Sequence, residues 1–276
     1  MKKPCLKKKR LFLAFAALVL AALAVWTIWG NTALTVSRVT VKAPVKLRIA
    51  QVSDLHNARF GEGNAELLEL LAGTEPDFIA VTGDLVDSRH TDIEIALEFI
   101  EGAARIAPVY YVTGNHEARL SDYGELRAGL EAAGAIVLED RAAPYKEVNV
   151  IGLADPDLAL PGDIFDEVPA MVRAKLDGLV DPGRYNILLS HRPELFAAYK
   201  ESGIDIALTG HAHGGQFRLP FIGGLIAPNQ GFFPKYDAGL YTEDGANMVV
   251  SRGLGNSIIP LRFNNRPEIV VIELTE

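Results

Sequence analysis

Five short apolar runs, each ending in a polar turn, constrain the fold of this chain most. Runs of this length that end at Asp, Asn or His are typical of buried strands. Ligands bind beyond the carboxyl ends of strands in open α/β sheets, so the five ends are expected to converge on one site. The runs and their turns are 47–52 before Asp54 and His56, 78–81 before Asp84, 109–112 before Asn115, His116 and Glu117, 187–189 before His191, and 206–208 before His211 and His213.

Helical patterns alternate with these runs. Asn64 can cap a helix that ends at Leu71, and Thr91 with Glu94 forms a capping-box pattern for a helix that reaches about Arg105. The alternation predicts α/β layers, and the hairpin-like later strands predict mixed pairing. Two packed sheets with helices outside fit this pattern, but a doubly wound sheet fits it equally. Further helices are expected at 123–133, irregularly within 155–181 and at 193–200, and further strands at 136–138, 148–153, 248–251 and 269–273.

The N-terminal segment predicts a membrane span. Residues 1–10 contain six basic side chains, and residues 11–29 are apolar except for Thr27. About 19 residues rise roughly 28 Å as a helix, close to the hydrocarbon thickness of a bilayer. We therefore divide the chain into a basic cytoplasmic N-terminus (1–10), a transmembrane signal anchor (11–29), a linker (30–44) and one large folded domain (45–276).

Charge predicts how the chain is oriented. Basic residues before a span favour the cytoplasm, so the domain is expected outside it, on a single-pass protein of the cell membrane. A cleaved signal peptide is the alternative, since Ala22-Leu23-Ala24 resembles a cleavage site. When the 6 N-terminal bases are subtracted from the total of 27, the rest of the chain has 21 basic residues against 35 acidic ones, a net charge of about −14. This negative charge disfavours nucleic acid as a partner. The single cysteine, Cys5, precedes the span, so the domain has no thiolate ligands.

The polar turns supply carboxylate, amide and imidazole groups. These donors suit Mn, Fe, Zn or Co. Seven groups are too many for one ion with an open position, but they suit two divalent ions that share a bridging carboxylate, as in phosphoryl transfer. The two histidines after residue 208 would alone be a weak signal, because such a pair can simply face water. The candidate metal ligands are Asp54, His56, Asp84, Asn115, His191, His211 and His213.

The order of these motifs resembles that of the calcineurin-like metallophosphoesterases. The likeness runs from Asp-x-His through Gly-Asp, Gly-Asn-His-Glu and a lone His to Gly-His-x-His, over residues 54–213. It implies a four-layer α/β/β/α sandwich of two mixed sheets. It also places Asp54, His56 and His213 on one ion and Asn115, His191 and His211 on the other. Asp84 would bridge the two ions, and metal-activated water would attack phosphorus.

The resemblance also assigns catalytic roles. His116 would stabilise charge or protonate the leaving oxygen, with Glu117 orienting its ring, although the family usually has Asp at that position. A purely structural histidine is the alternative for His116. Residues 210–215, 228–234 and 252–257 are similar to the membrane-anchored bacterial branch of YkuE-like and YaeI-like phosphoesterases.

Residues outside the motifs are less specific. Arg59, Arg119 and Arg192 flank the motifs and could bind phosphate, but they could equally pair with the excess carboxylates. His90 lies in a polar turn and is expected to be solvated.

A loop at 214–236 bears on the substrate. Eight large apolar residues there would either line a groove beside the ions or reach the bilayer, or else fold under and plug the sandwich. If these residues line a groove or reach the bilayer, the favoured phosphorylated substrate is an envelope lipid or a lipid-linked wall precursor. Lipid-precursor pyrophosphatases among related proteins agree with this interpretation. A non-catalytic envelope interaction module and a phosphodiesterase for soluble nucleotides are the alternatives. The eight are Phe217, Leu219, Phe221, Ile222, Leu225, Ile226, Phe232 and Phe233.

Overall fold

The computed structural model describes residues 4–159, 167–256 and 258–276, with side chains from residue 8 onward. Lys2, Lys3, Ser257 and part of the 155–181 segment lie outside the described residues. The helices are α1 (Pro4–Thr32), α2 (Ala65–Ala72), α3 (Ile93–Ala104), α4 (Asn115–Ala118), α5 (Tyr123–Ala132), α6 (Val168–Asp177) and α7 (Phe196–Glu201). The strands are β1 (Thr35–Lys42), β2 (Leu47–Val52), β3 (Phe78–Thr82), β4 (Val109–Val112), β5 (Ala135–Val137), β6 (Arg141–Tyr145), β7 (Val148–Gly152), β8 (Tyr185–Leu189), β9 (Ile206–Thr209), β10 (Arg218–Leu219), β11 (Gly223–Gly224), β12 (Ile226–Ala227), β13 (Gly231–Phe232), β14 (Gly239–Glu243), β15 (Ala246–Val250) and β16 (Glu268–Thr275).

Two mixed six-stranded sheets form the centre of the domain. The first has the order β1-β16-β2-β3-β4-β5, with β2 to β5 parallel and β16 antiparallel to β2. The second has the order β14-β15-β9-β8-β7-β6, with parallel inner strands and antiparallel strands at both edges. Inner strands are buried on both faces, which explains why they are continuous apolar runs in the sequence.

The buried side chains form three apolar layers. Ile49 and Phe78 from the first sheet share one cluster with Leu189 and Leu208 from the second, so the two sheets pack face to face. A second cluster lies between the first sheet and α2, α3 and α5. A third lies between the second sheet and α6 and α7. The expected α/β/β/α sandwich is therefore confirmed.

The segment between the N-terminal helix and the domain needs a correction. The sequence predicts a linker over residues 30–44, but α1 continues to Thr32, and β1 is an edge strand paired in parallel with β16 from Thr35↔Glu268 to Lys42↔Thr275. Edge strands are partly exposed and carry polar residues, so β1 lacks the apolar run that identifies an inner strand. β6 and β14 are also partly exposed, so the sequence pattern does not identify them as strands.

Two predicted helix caps also differ from the structure. Asp92, not Thr91, precedes α3, and the Thr91 hydroxyl donates instead to the Asp87 carbonyl at 3.2 Å. Asn64 does precede α2, but its Oδ1 accepts from the Phe60 amide at 2.9 Å. Asn64 thus closes the turn before the helix.

Candidate metal centre

The five polar turns meet where β2, β3, β4, β8 and β9 end. Two groups of candidate ligands each have donor atoms within 4.8 Å of one another, and all of these side chains are buried. One group is Asp54, His56 and His213, and the other is Asp84, His191 and His211. Six of the seven predicted ligands are therefore brought together in two adjacent sets, and Asn115 is in neither.

Asp84 lies between the two sets. Its Oδ2 is 3.5 Å from His56 Nε2 on one side and 3.2 Å from His191 Nε2 on the other. Within the first set, His213 Nε2 is 3.4 Å from Asp54 Oδ1. This arrangement is what a bridging carboxylate requires.

The polar atoms of this cluster fit bound cations. His56 Nε2 faces His213 Nε2 at 3.2 Å, and His191 Nε2 faces His211 Nδ1 at 3.1 Å. A neutral imidazole has one donor and one acceptor nitrogen, so ring nitrogens this close either share one proton or direct both lone pairs at a cation. Asn115 Oδ1 is buried and has no hydrogen-bond partner among the described residues. Nitrogen and oxygen donors of this kind suit divalent transition metals.

The backbone of these turns is strained. Five candidate ligands have left-handed φ angles, which non-glycine residues adopt at a cost and which cluster at functional sites. The φ angles are 53° at Asp54, 46° at His56, 54° at Asp84, 65° at His211 and 47° at His213.

The glycines of the motifs allow the turns to approach one another. A Cβ on Gly210 would lie 2.5 Å from Asp54 Oδ2, and one on Gly114 would lie 2.6 Å from the Asp84 amide nitrogen. Side chains at either position would push a candidate ligand away. The glycines before His211 and Asn115 are therefore steric requirements of the site.

Hydrogen bonds to the backbone orient the candidate ligands. His191 Nδ1 lies 2.8 Å from the Thr82 carbonyl, so that nitrogen donates and Nε2 faces the centre, where a bound metal would replace its proton. Asp84 Oδ1 accepts from the His116 amide at 2.8 Å, and Asp54 accepts from the His211 amide at 3.1 Å. The rings and carboxylates are thus held by the turns themselves.

Burial and mutual charge shift the pKa values of the cluster. Burial lowers the pKa of His56 to about 4, and burial also places the pKa values of His211 and His213 well below the ordinary value. His191 differs, because burial would lower its pKa but Asp84, Asp54 and Asp155 together raise it to about 10. Three of the four imidazoles are therefore neutral near pH 7, the form that binds metals.

Glu117 has partners other than the expected one. Its carboxylate accepts from the backbone amides of Asp84 at 2.8 Å, Gly114 at 2.7 Å and Val86 at 3.2 Å. The His116 ring contacts Ser88 instead, whose amide donates to Nδ1 at 3.0 Å. Glu117 therefore holds the backbone of two motif turns together, and among the described residues the His116 ring is oriented through Ser88 instead of the Glu117 carboxylate.

The flanking arginines pair with carboxylates. Arg59 Nη1 lies 3.0 Å from Glu98, Arg119 Nη2 lies 2.8 Å from Asp157, and His90 is exposed as expected. Arg192 is buried, with Nε and Nη2 bound to Asp155 at 2.6 and 2.8 Å. Its Nη1 lies 3.3 Å from His211 Nε2.

Sequence reasoning missed three residues at the centre. Asp155, which holds Arg192, follows the β7 run, so the strand-end pattern could have found it. Asp87 Oδ1 lies 3.5 Å from His116 Nδ1, three residues after Asp84. Arg262 is buried, with Nη2 3.4 Å from His213 Nδ1, and no local pattern identifies it.

Comparison with known proteins identifies the class. Residues 47–215 match the model of the calcineurin-like phosphoesterase family, so the chain belongs to that family and is a metal-dependent phosphohydrolase. It is 28% identical to the metallophosphoesterase YkuE of Bacillus subtilis over 82% of this chain and 78% of that protein. It is 29% identical to phosphodiesterase YaeI of Escherichia coli, over 84% and 83%. It is also 30% identical to a zebrafish (Danio rerio) transmembrane protein with a metallophosphoesterase domain, over 95% and 62%.

Proposed function

We propose that the protein is a membrane-tethered, dinuclear-metal phosphoesterase. Asp54, His56 and His213 would hold one ion, and Asn115, His191 and His211 the other, with Asp84 shared. The observation that carries the proposal is the position of the Asp84 carboxylate between the two ligand sets, 3.5 and 3.2 Å from their nearest imidazole nitrogens. Two divalent ions in such a site lower the pKa of water and neutralise charge on the phosphoryl group.

The residues around the ions would stabilise the leaving group and position the ligands. Because the Ser88 amide donates to His116 Nδ1, the neutral ring carries its proton on Nε2, and this N–H can donate a hydrogen bond to the charge that develops on a leaving oxygen. His116 lies beside the candidate ligand His56, with ring centroids 4.5 Å apart. Glu117 would act as a positioning residue through the Asp84 and Gly114 amides.

Residues 8–32 support the membrane tether. They form a helix that is long and apolar enough to cross a bilayer, judged by length and composition. The zebrafish relative carries a transmembrane description, and six basic residues lie within residues 2–10, before the apolar part of the helix. These features favour a single pass through the cell membrane with the catalytic domain away from the cytoplasm.

The exposed loop after the histidine pair favours a lipid-linked substrate. Phe221, Ile222, Phe232 and Phe233 are 61–109% exposed, so these four do not plug the sandwich, whereas Phe217, Leu225 and Ile226 are half-buried. An exposed apolar cluster of this kind suits an acyl or prenyl chain. We therefore propose a phosphodiester or pyrophosphate of an envelope lipid or lipid-linked wall precursor as the substrate.

A substrate and metal panel tests this function. The full-length protein in lipid nanodiscs, loaded in turn with Mn, Fe, Zn and Co, is assayed on monoesters, diesters and pyrophosphates in soluble and lipid-linked forms. We expect the highest kcat/KM on a lipid-linked diester or pyrophosphate. Preference for soluble nucleotides would contradict the lipid assignment, and no turnover with any metal would favour an interaction module.

A further inference from the structure

The end of α1 is fixed to the catalytic domain. Asn31 Oδ1 accepts from the Arg262 amide at 2.8 Å and from Asn256 Nδ2 at 3.2 Å, and Asn31 Nδ2 donates to the Arg262 carbonyl at 2.9 Å. Arg266 Nε donates to the Ala33 carbonyl at 2.9 Å. The helix and the domain are therefore joined as one body, and the bilayer that surrounds the helix has a defined position relative to the domain.

Two tryptophans mark the level of the membrane surface. Trp26 and Trp29 lie near the C-terminal end of α1 and are about half exposed. Tryptophan prefers the boundary between hydrocarbon and headgroups, where its ring is apolar and its N–H is hydrated. The Arg266 guanidinium lies 4.6 Å over the Trp29 ring, a position where a cation reaches lipid phosphates. The loop that carries Arg262 and Arg266 is thus at headgroup depth.

Three apolar side chains project from this same loop. Ile258 is 78% exposed, Ile259 36% and Leu261 42%. The backbone of this segment is held from behind, because Gln216 Nε2 donates to the Ile259 carbonyl at 2.8 Å and to the Leu261 carbonyl at 2.6 Å. The segment lies between Asn256 and Arg262, the two residues that bond Asn31. Its apolar side chains are therefore presented beside the end of the span.

We infer that Ile258, Ile259 and Leu261 form a docking surface for the lipid bilayer. This inference rests on the proposed membrane anchor and adds a second contact beside it. The occupant is the bilayer, because the span brings this surface to the headgroup level and because Asn31, at the end of the span, bonds Asn256 and Arg262 on either side of the surface. Amphipathic surfaces of this kind insert their apolar side chains at the boundary between headgroups and acyl chains.

The docking surface lies next to the metal centre. The Arg262 guanidinium donates to the Arg252 carbonyl at 2.7 Å and to the Gly255 carbonyl, and its Nη2 is 3.4 Å from His213 Nδ1. One residue thus bonds the anchor through its backbone and reaches a candidate ligand through its side chain. Docking at Ile258 would hold the metal centre at the level of lipid phosphates.

Spin-label accessibility in the full chain tests the docking. Cys5 is replaced by Ser, a single Cys is placed at Ile258 or Leu261, and the nitroxide-labelled protein is reconstituted in nanodiscs of phosphatidylcholine and phosphatidylglycerol. Oxygen partitions into the bilayer and a nickel chelate stays in water. The control is Asp244→Cys, since Asp244 precedes β15 and therefore lies at the opposite end of the strands from the centre.

The expected result is a higher oxygen-to-nickel collision ratio at 258 and 261 than at 244. Equal ratios at all three sites would overturn the inference, and so would spin–spin broadening at 258, which would indicate contact with a second copy. A label at Leu18 separates the two proposals. Nickel accessibility at Leu18 would refute the anchor itself, whereas a shielded Leu18 with a water-exposed 258 would refute only the docking surface.

Discussion

Asp84 is the side chain on which both halves of the candidate centre depend. Burial would raise its pKa, but His191, His56 and His116 more than offset that effect and hold the pKa well below the ordinary value. The carboxylate is therefore ionised throughout the physiological range. An ionised group between two cationic centres contributes charge that a neutral isostere cannot.

Asp84→Asn is expected to lower metal content and activity together. The substitution keeps the shape of the side chain but removes the charge shared by the two ions. Elemental analysis of the purified variant alongside its kcat/KM measures both effects. Full metal occupancy with a near-normal rate would contradict the bridging role.

His116→Ala is expected to slow the reaction without removing the bound metal. The ring is held by Ser88 and belongs to neither proposed ligand set, although its donor atom also lies within 4.8 Å of those of His56 and Asp87. With the two ions in the proposed sets, metal content should stay near that of the unmodified protein. Loss of this hydrogen-bond donor to the leaving oxygen should lower kcat by about 10² to 10⁴. The slowing should be smallest on substrates with acidic leaving groups, which develop the least charge on that oxygen. A parallel loss of metal would instead make His116 a structural residue.

Glu117→Gln is expected to destabilise the fold. The carboxylate accepts three backbone N–H groups, and an amide would turn a donor toward at least one of them, leaving a buried donor unsatisfied at about 1–3 kcal/mol. Burial and Asp84 raise the pKa of Glu117 to about 7, so denaturant unfolding is measured at pH 8, where the carboxylate is ionised. The matched control is Glu98→Gln, an exposed partner of Arg59, expected within about 0.5 kcal/mol. Equal effects of the two substitutions would refute the positioning role.

The sequence was sufficient for residues that carry their own local pattern. Asp54 and His191 follow apolar runs, so the position of a strand end could be predicted without knowing the fold. Arg262 acts on the centre through a contact with His213, 49 positions away, which no local pattern records. Asp155 follows an apolar run, but its contact with Arg192, 37 positions away, could not be predicted from that pattern. The partners of Glu117 were missed because they are backbone amides, and a sequence does not show which backbone amides a carboxylate will bind.

Among the secondary-structure elements, exposure decides what can be predicted. β2, β3, β4, β8 and β9 are nearly all buried and were identified by their apolar runs. β1 and β6 lie at sheet edges, and apolar and polar residues alternate less clearly in them. β6 also includes Pro144, so neither strand was identified. The short hairpins β10–β11 and β12–β13 fall within the segment expected to be a long loop.

Those hairpins carry the element-scale prediction. Replacing Phe232 and Phe233, which are 70% and 62% exposed, by Ser should raise KM for an acylated substrate and barely affect a small chromogenic phosphodiester. Because the rings are exposed, the unfolding midpoint should stay unchanged. Tyr236→Ser, at a buried ring in the same segment, is the control that should lower stability. Equal KM changes on both substrates would contradict an acyl-binding role.

At the scale of the whole molecule, the prediction concerns topology. The six N-terminal bases and the α1 span favour a catalytic domain on the non-cytoplasmic side. Protease added to cells whose outer layers are opened should digest the domain while a cytoplasmic marker protein survives. Digestion only after the membrane is lysed would refute this orientation.

The parallel pairing of β1 with β16 sets the order in which the domain can be completed. β1 directly follows the span and therefore leaves the ribosome early, but its sheet neighbour comes from the other end of the printed sequence and also separates β1 from β2. Pairings between such distant segments form slowly, because loop closure must precede the contacts that reward it. Until β16 is made, β1 therefore has unpaired backbone groups, the state in which a strand is most liable to pair with another chain.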